Sequence, residues 1–484
     1  MKDGLRLALL VLLGGCSFAP RYQVPDAPGS PDTYQAVADW QRVAPGPTIE
    51  RDAWWTLFGD ERLNDLETRA MTANQSLQAA FARLEQARAD TRVARADLLP
   101  TLAASGSATR SRVSQNSPTY LAGPRSGRLE GSDLVLQGDL SYEIDLWGRV
   151  RNQVQAARDT QQAQADALGT LRLSIGAELA NDYFALRVFD TQSDILHKTI
   201  ADYSHSLSLV GALFDGGAVA LADLEQATSQ LLSAQTQLAD SELMRGQMQH
   251  AIAVLIGEHP SAFSLPANPL PLDQDPPVVD PGLPSTLLQR RPDVAEAERR
   301  VAAANAQIGV ARAAYFPQFS LVGSAGFNSV KASSFLSAPS LFWSIGPQVS
   351  APLFEGGRLV AQTERTKAAY REQVANYRGA VLAAFQDVED NLLALRQLER
   401  ESISQQGSVE AAGIALRKSQ ERYEEGLVTY LEVSTNETTA LQAQLSLVNV
   451  QRRRMSASVL LVKALGGGWD SVAAADTAVV ATRP

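Results

Sequence analysis

The 484-residue chain holds one cysteine, four histidines and only 6% aromatic residues. The lone cysteine, Cys16, excludes an intramolecular disulfide. His197, His205, His250 and His259 show no ligand spacing with cysteine, aspartate or glutamate. There is no G-x-S-x-G elbow, phosphate-binding loop or dinucleotide fingerprint, so no enzyme is expected. Gly466-Gly467-Gly468 closes a helical pattern and follows no strand, and Met244 and Met248 read as core filling. The net charge of −10 argues against a nucleic-acid surface. Proline is missing between Pro124 and Pro260 and again between Pro352 and Pro484. Since a proline inside a helix costs roughly 3 kcal/mol, these two blanks mark where long helices can run.

The N-terminus has a targeting pattern. Lys2 and Arg6 precede a short apolar run, Leu7 to Leu13, and Leu13-Gly14-Gly15-Cys16 forms a lipoprotein cleavage box. The run is too short to span a bilayer. Cys16 is therefore expected to become a lipidated first residue carrying diacylglycerol and an N-acyl chain. Cleavage removes Lys2, Arg6 and Asp3, two positive charges and one negative, and takes the net charge to −11. Ser17 stands where an aspartate would signal inner-membrane retention, so the expected address is the outer membrane.

The chain repeats itself at an offset of 209 residues. Gly148-Arg149 meets Gly357-Arg358, Ala185-Leu186-Arg187 meets Ala394-Leu395-Arg396, and Gly257 meets Gly466. Upstream, Ala94–Pro100 matches Ala311–Pro317 at an offset of 217, so a loop of variable length separates the two registers. In the first proline blank, Leu196, Ile200, Tyr203, Leu207, Val210 and Phe214 form a heptad seam. Each copy predicts a long helix (Arg149–Asp215 in the first), a glycine turn, and a shorter helix, Leu221–Ile256 or Tyr430–Leu465. The long helix would extend about 100 Å at 1.5 Å per residue. Further helices are expected to start near Ser76 and Asp293 and to end at Leu99 and Phe316.

Between these helices the period changes to two. Leu134, Leu136, Leu140, Tyr142 and Ile144 oppose Asp133, Gln137, Asp139, Ser141 and Glu143; Phe319, Leu321, Ala325 and Phe327 oppose Gln318, Ser320, Ser324 and Asn328. Such segments of about ten residues are the pattern of membrane-spanning strands, with a half-buried soluble sheet as the alternative. Pro347 and Pro352 should end or bend the fourth strand. Four strands cannot close a barrel, and lipid tolerates no open edge, so a membrane protein of this kind must assemble. Two subunits would give eight strands and a filled interior, three would give twelve and a lumen. The domain reading is 1–15 signal peptide, 16–60 lipidated strap and 61–257 first repeat with a β-hairpin at about 101–144. There follow 258–286, a connector with eight prolines, 287–466, the second repeat with a hairpin at about 318–352, and the tail 467–484.

The chain resembles the TolC-type outer-membrane efflux factors, in particular the lipoprotein branch that serves resistance–nodulation–division (RND) pumps. The resemblance rests on Cys16…Pro20-Arg21-Tyr22-Gln23-Val24-Pro25, Trp54-Trp55-Thr56-Leu57-Phe58-Gly59-Asp60 and Arg290-Arg291-Pro292-Asp293-Val294. It rests also on Ile308–Arg312, Pro352-Leu353-Phe354-Glu355-Gly356-Gly357-Arg358 and Arg422–Gly426. It implies a mainly α fold, with periplasmic helical hairpins forming an α-barrel and four strands per chain entering a shared twelve-stranded barrel. It also implies a homotrimer in outer-membrane lipid, a periplasmic adaptor (membrane fusion protein) and an inner-membrane RND pump as partners. The chain itself would be a passive, gated exit duct for drugs or other small toxic compounds.

The resemblance places the periplasmic tip at Gly216, Gly217 and Gly426, and the gate among Asp223, Arg422, Tyr423, Leu431, Glu432 and Thr435. Asp223 and Glu432 read equally well as first-turn acids that complement a helix dipole. The chain departs from the family pattern at Thr435, where relatives carry aspartate, and at Leu213, where arginine is common. A protein-secretion duct and a non-conducting periplasmic spacer are the competing readings; the lipobox and Trp54-Trp55 favour efflux.

Overall fold

The computed structural model describes residues 17–29, 53–112, 114, 130–279 and 290–469. Cys16, the signal segment and the tail beyond Trp469 lie outside them. The chain is mainly helical. Helices α1 (Glu61–Ala73) and α2 (Gln75–Ala96) lead to strands β1 (Thr101–Arg112) and β2 (Glu130–Ile144), then to α3 (Arg149–Asp215) and α4 (Leu221–Leu255). Helix α5 (Pro292–Ala313), strands β3 (Gln318–Ser329) and β4 (Leu341–Ser350), and helices α6 (Arg358–Glu424) and α7 (Tyr430–Ala464) repeat that order. No described helix is long and apolar enough to cross a membrane.

The helices and the first strand of each hairpin keep the repeat to the residue, while β2 has 15 residues and β4 has 10. Helices α3 and α6 both have 67 residues and α4 and α7 both have 35. Strands β1 and β3 both have 12 residues. The shift from 217 to 209 therefore arises between the end of the first strand of each hairpin and the start of the long helix, within the interval expected. Helices α2 and α5 end at Ala96 and Ala313, three residues before the expected points. The chain leaves each in a single turn, Leu99 N–H to Ala96 O and Phe316 N–H to Ala313 O, because Pro100 and Pro317 cannot continue it. Pro292 opens α5 as expected.

Contacts divide the chain into two compact units that do not coincide with the repeats. One holds the described residues up to Asp26, with Leu84–Gln164 and Ala297–Tyr377; the other holds Ala27–Arg83, Ala165–Glu296 and the chain from Arg378 onward.

The first unit contains the antiparallel sheet, in the order β1-β2-β3-β4. β4 runs through Pro347, which pairs with Leu321, as far as Ser350. β4 passes through Pro347 because it pairs on one side only among the described residues, so only every second amide faces β3; it ends two residues before Pro352, one of the two prolines expected to end or bend it. An extended N-terminal strap runs along α5. Arg312 donates to Phe18 O, Asn305 Nδ2 to Pro20 O at 2.9 Å, and the Tyr22 hydroxyl to the Glu298 carboxylate. Phe18 stacks on Phe316 with centroids 4.3 Å apart, and Trp147 packs on Phe316 at 5.1 Å. The strap lies this close because residue 309 is glycine: a Cβ there would stand 2.7 Å from that of Ala19.

The second unit is helical. Asp60 caps α1 by accepting from Arg62 and Leu63 N–H, and also receives the Tyr183 hydroxyl and Arg187, at 2.8 and 2.9 Å. Leu196, Tyr203 and Val210, seven residues apart, are buried, while Ile200, Leu207 and Phe214 are half-buried; the heptad seam packs through one of its two lines. The connector lies against the helices: Arg187 and Thr191 bind the backbone around Asn268 to Leu270, and Arg454 reaches Asp275 at 2.7 Å.

Candidate functional site

Two features are candidates for function, one in each unit. The first is the sheet. Its register places Leu102, Leu136, Leu140, Phe327, Leu341, Trp343, Ile345 and Val349 on one face, with Ser105, Gln137, Asp139, Ser324, Ser344 and Gln348 on the other. The polar face is tied by side chains: Ser324 to Ser344 at 2.9 Å and Asn328 to Asp133 at 3.1 Å. The apolar face is uncovered, with Trp343 72% and Ile345 60% exposed. A soluble sheet buries its apolar face and shows its polar one. Here neither face is packed against a layer of helices, which removes the half-buried soluble alternative. A sheet with an apolar outer and a polar inner surface fits a lipid-facing barrel wall around water.

The second feature is the paired helical tip. Both turns close by the same hydrogen bonds: Gly217 N–H to Phe214 O and Ala218 N–H to Leu213 O, then Gly426 N–H to Tyr423 O and Leu427 N–H to Arg422 O. Gly217 and Gly426 adopt φ of 73° and 71°. Gly216, grouped with them from the sequence, does not: it is absent from the positive-φ glycines, and a Cβ there would meet only carbonyls at 3.5 Å or more.

The candidate gate residues divide into different roles. Asp223 accepts the Ala220 N–H at 3.2 Å and so caps its own helix. Glu432, its repeat partner, pairs instead with Arg422 at 3.0 Å. The cause is the broken symmetry: the first copy has Leu213 at the position of Arg422, leaving Asp223 no cation across its turn. Arg422 and Glu432 are each about half exposed, so the pair is worth only ~0.2–1 kcal/mol. The Tyr423 ring meets Tyr430 edge-on at 5.8 Å, and its buried hydroxyl has no partner. Burial and then the charge of Asp223 raise the proton affinity of that hydroxyl. Leu431 is exposed, and the Thr435 hydroxyl donates to Leu431 O at 2.7 Å, which spends it inside the helix.

Sequence reasoning missed the contacts between the hairpins. Val210, Ala227, Tyr430 and Val433 form a small core above the turns. Gln230 of α4 donates to Ser434 O at 2.8 Å and accepts from the Tyr430 hydroxyl at 3.2 Å. Ser206 of α3 donates to Glu437 of α7 at 3.1 Å. Glu437 had a signal that went unused: it stands where the first repeat has Thr228.

With this geometry the chain was compared with known proteins. It matches the profile of a family described as outer membrane efflux protein over residues 67–258 and 283–467. The toluene efflux pump outer membrane protein TtgC of Pseudomonas putida is 32% identical over 477 residues, 97% of this chain and 96% of that one. The pyoverdine export outer membrane protein OpmQ of Pseudomonas aeruginosa is 33% identical over 474 residues, 97% of this chain and 98% of that one. Among solved structures, the CmeC outer membrane channel of Campylobacter jejuni is similar with a TM-score of 0.86 at 26% identity, covering 96% of this chain and 98% of that one.

Proposed function

This chain belongs to the outer membrane efflux protein family, and on that premise we propose that three copies form a passive duct through which an efflux system discharges small toxic compounds. It is an outer-membrane component of an efflux pump, and its family is one of channel components, not of enzymes. The observation that carries the trimer is the open sheet. β1 and β4 each have one neighbour, so each presents a row of unpaired backbone groups. An unsatisfied group in hydrocarbon costs several kcal/mol, which drives β4 of one copy onto β1 of the next. Eight strands would leave an interior filled by side chains, whereas twelve leave a lumen.

The tip is the reading for the periplasmic end, where an adaptor joined to an inner-membrane RND pump would dock and where the duct closes. A salt bridge as weak as Arg422–Glu432 suits a gate that must open when a partner binds. Lipid on Cys16 would add a second hold on the membrane beside the barrel. The pump, not the duct, selects the cargo: relatives alike in identity to this chain carry the names of toluene and of pyoverdine.

Planar-bilayer recording on the purified protein tests the duct. Ion-conducting trimers are expected, and trimers that insert but pass no current would leave only the structural-spacer reading. Deleting the gene separates efflux from protein secretion: heightened sensitivity to a compound panel is expected, with secreted proteins unchanged.

A further inference from the structure

The helical unit holds a cavity of about 620 Å³ between α3, residues 269–272 of the connector, α6 and α7. Ile195, Leu270, Leu272, Leu416 and Leu441 supply apolar walls. Three carboxylates and one ammonium, that of Lys198, line it. Asp194 is already paired with Lys198 at 2.8 Å, whereas Asp202 is exposed and has no ion-pair partner among the described residues. Glu437 is only 3% exposed. Its Oε1 accepts from Ser206, while its Oε2 is buried without a partner. Burial pushes its carboxyl up to about 7; the Ser206 hydrogen bond opposes that rise and the Asp202 charge adds to it. Tyr203 of α3 and Tyr430 of α7 also lie within its field, and α6 and the connector bring no ionisable lining residue. The arrangement is built once. At the repeat-related positions of Glu437 and Asp202 the chain has Thr228 and Ala411, so the other half of the molecule lacks both acids.

Two acids that repel one another beside apolar walls are left short of a positive charge. We propose that this cavity binds amphipathic organic cations, with the ammonium between Asp202 and Glu437 and the apolar body against Ile195, Leu272, Leu416 and Leu441. The volume falls within the usual range of small-molecule sites. A divalent metal ion is disfavoured because no cluster of three or more His, Cys, Asp or Glu side chains among the described residues could hold one. The duct reading enters only as the source of the ligand.

The test uses the intact assembled protein in detergent and ethidium as the probe, whose fluorescence rises in apolar surroundings. Saturable binding is expected, weakened about tenfold or more in Asp202→Asn/Glu437→Gln, through loss of the charge contacts to the cationic ring. Leu441→Trp should abolish it by filling the cavity with both acids intact. Lowering the pH from about 8 to about 6 should weaken binding to the wild type and leave Glu437→Gln unaffected. The neutral probe N-phenylnaphthylamine should not distinguish wild type from the charge variants. Equal ethidium affinity in wild type and variants would overturn the site, as would displacement of ethidium by magnesium at concentrations comparable to the dye. Conductance of the same preparation separates this from the duct. Wild type that conducts but binds no ethidium refutes the site alone; wild type that binds but does not conduct refutes the duct alone.

Discussion

Single residues in the helical unit carry chemistry out of proportion to their exposure. Glu67 is 0% exposed with neither carboxyl oxygen bonded, packed beside Gly176, and burial pushes it up to about 9; it is a neutral acid at physiological pH. Burial raises Asp182 to about 6, and Glu437, raised to about 7, is the acid whose protonation changes closest to neutrality. Its folded pKa lies above the unfolded one, so the folded protein holds the extra proton. The associated stability is complete below about pH 4.5 and is lost as pH rises toward about 7. In thermal denaturation of the detergent-solubilised protein Glu437 should therefore contribute a decline of about 3 kcal/mol across that window, beside those from Glu67 and Asp182, and Glu437→Gln should remove its share. An unchanged slope in the variant would move the titration to another group. At the tip, Arg422→Ala removes an exposed pair and should cost less than ~1 kcal/mol in stability. Its effect should appear instead in single-channel recordings as a higher open probability; wild-type gating in the variant would remove the pair from the gate.

At the scale of elements, the sequence was legible wherever a signal was local. Both long helices lie within proline blanks and both shorter ones start one residue after a capping position, because period and punctuation act over a few residues. Turn chemistry was less legible. Gly216 and Gly217 look equivalent in sequence, yet only Gly217 needs the left-handed backbone. Gly217→Val and Gly426→Val should each cost about 1–2 kcal/mol or more, while Gly216→Ala should be neutral or slightly stabilising. Melting temperatures of the three variants decide this, and equal losses would refute the turn assignment. The strands offer a sharper contrast. Ile345→Lys places a charge on the outer face, at a cost of about 2–4 kcal/mol near mid-membrane, whereas Ser344→Lys one residue away faces the polar side. Recovery from the outer-membrane fraction should fall for the first and hold for the second. Equal recovery would mean that the sheet does not face lipid.

For the whole molecule, the question is which strand edges meet. β1 and β4 are separated by two strands, about 14 Å at the usual strand spacing. No disulfide can bridge that gap within one chain. Cysteines placed in pairs along the two edges, for example at Ser105 and Ser344 and at neighbouring positions, should therefore give covalent dimers and trimers on oxidation, resolved on a denaturing gel. Monomers alone at every register would exclude an assembly in which β4 meets β1.

The repeat, the helix lengths, the two-residue alternation and the need for assembly all follow from period, punctuation and strand count along the chain. Tertiary structure decided what depends on a distant neighbour. It set the order and register that gather every exposed large apolar strand residue on one face. It divided the paired acids, so that Asp223 caps its own helix while Glu432 crosses the turn to Arg422. It also withdrew Glu67 and Glu437 from water. The physical reason is the same in each case: periodicity records which side of an element is apolar, whereas the protonation and partner of a carboxyl depend on what folding brings against it.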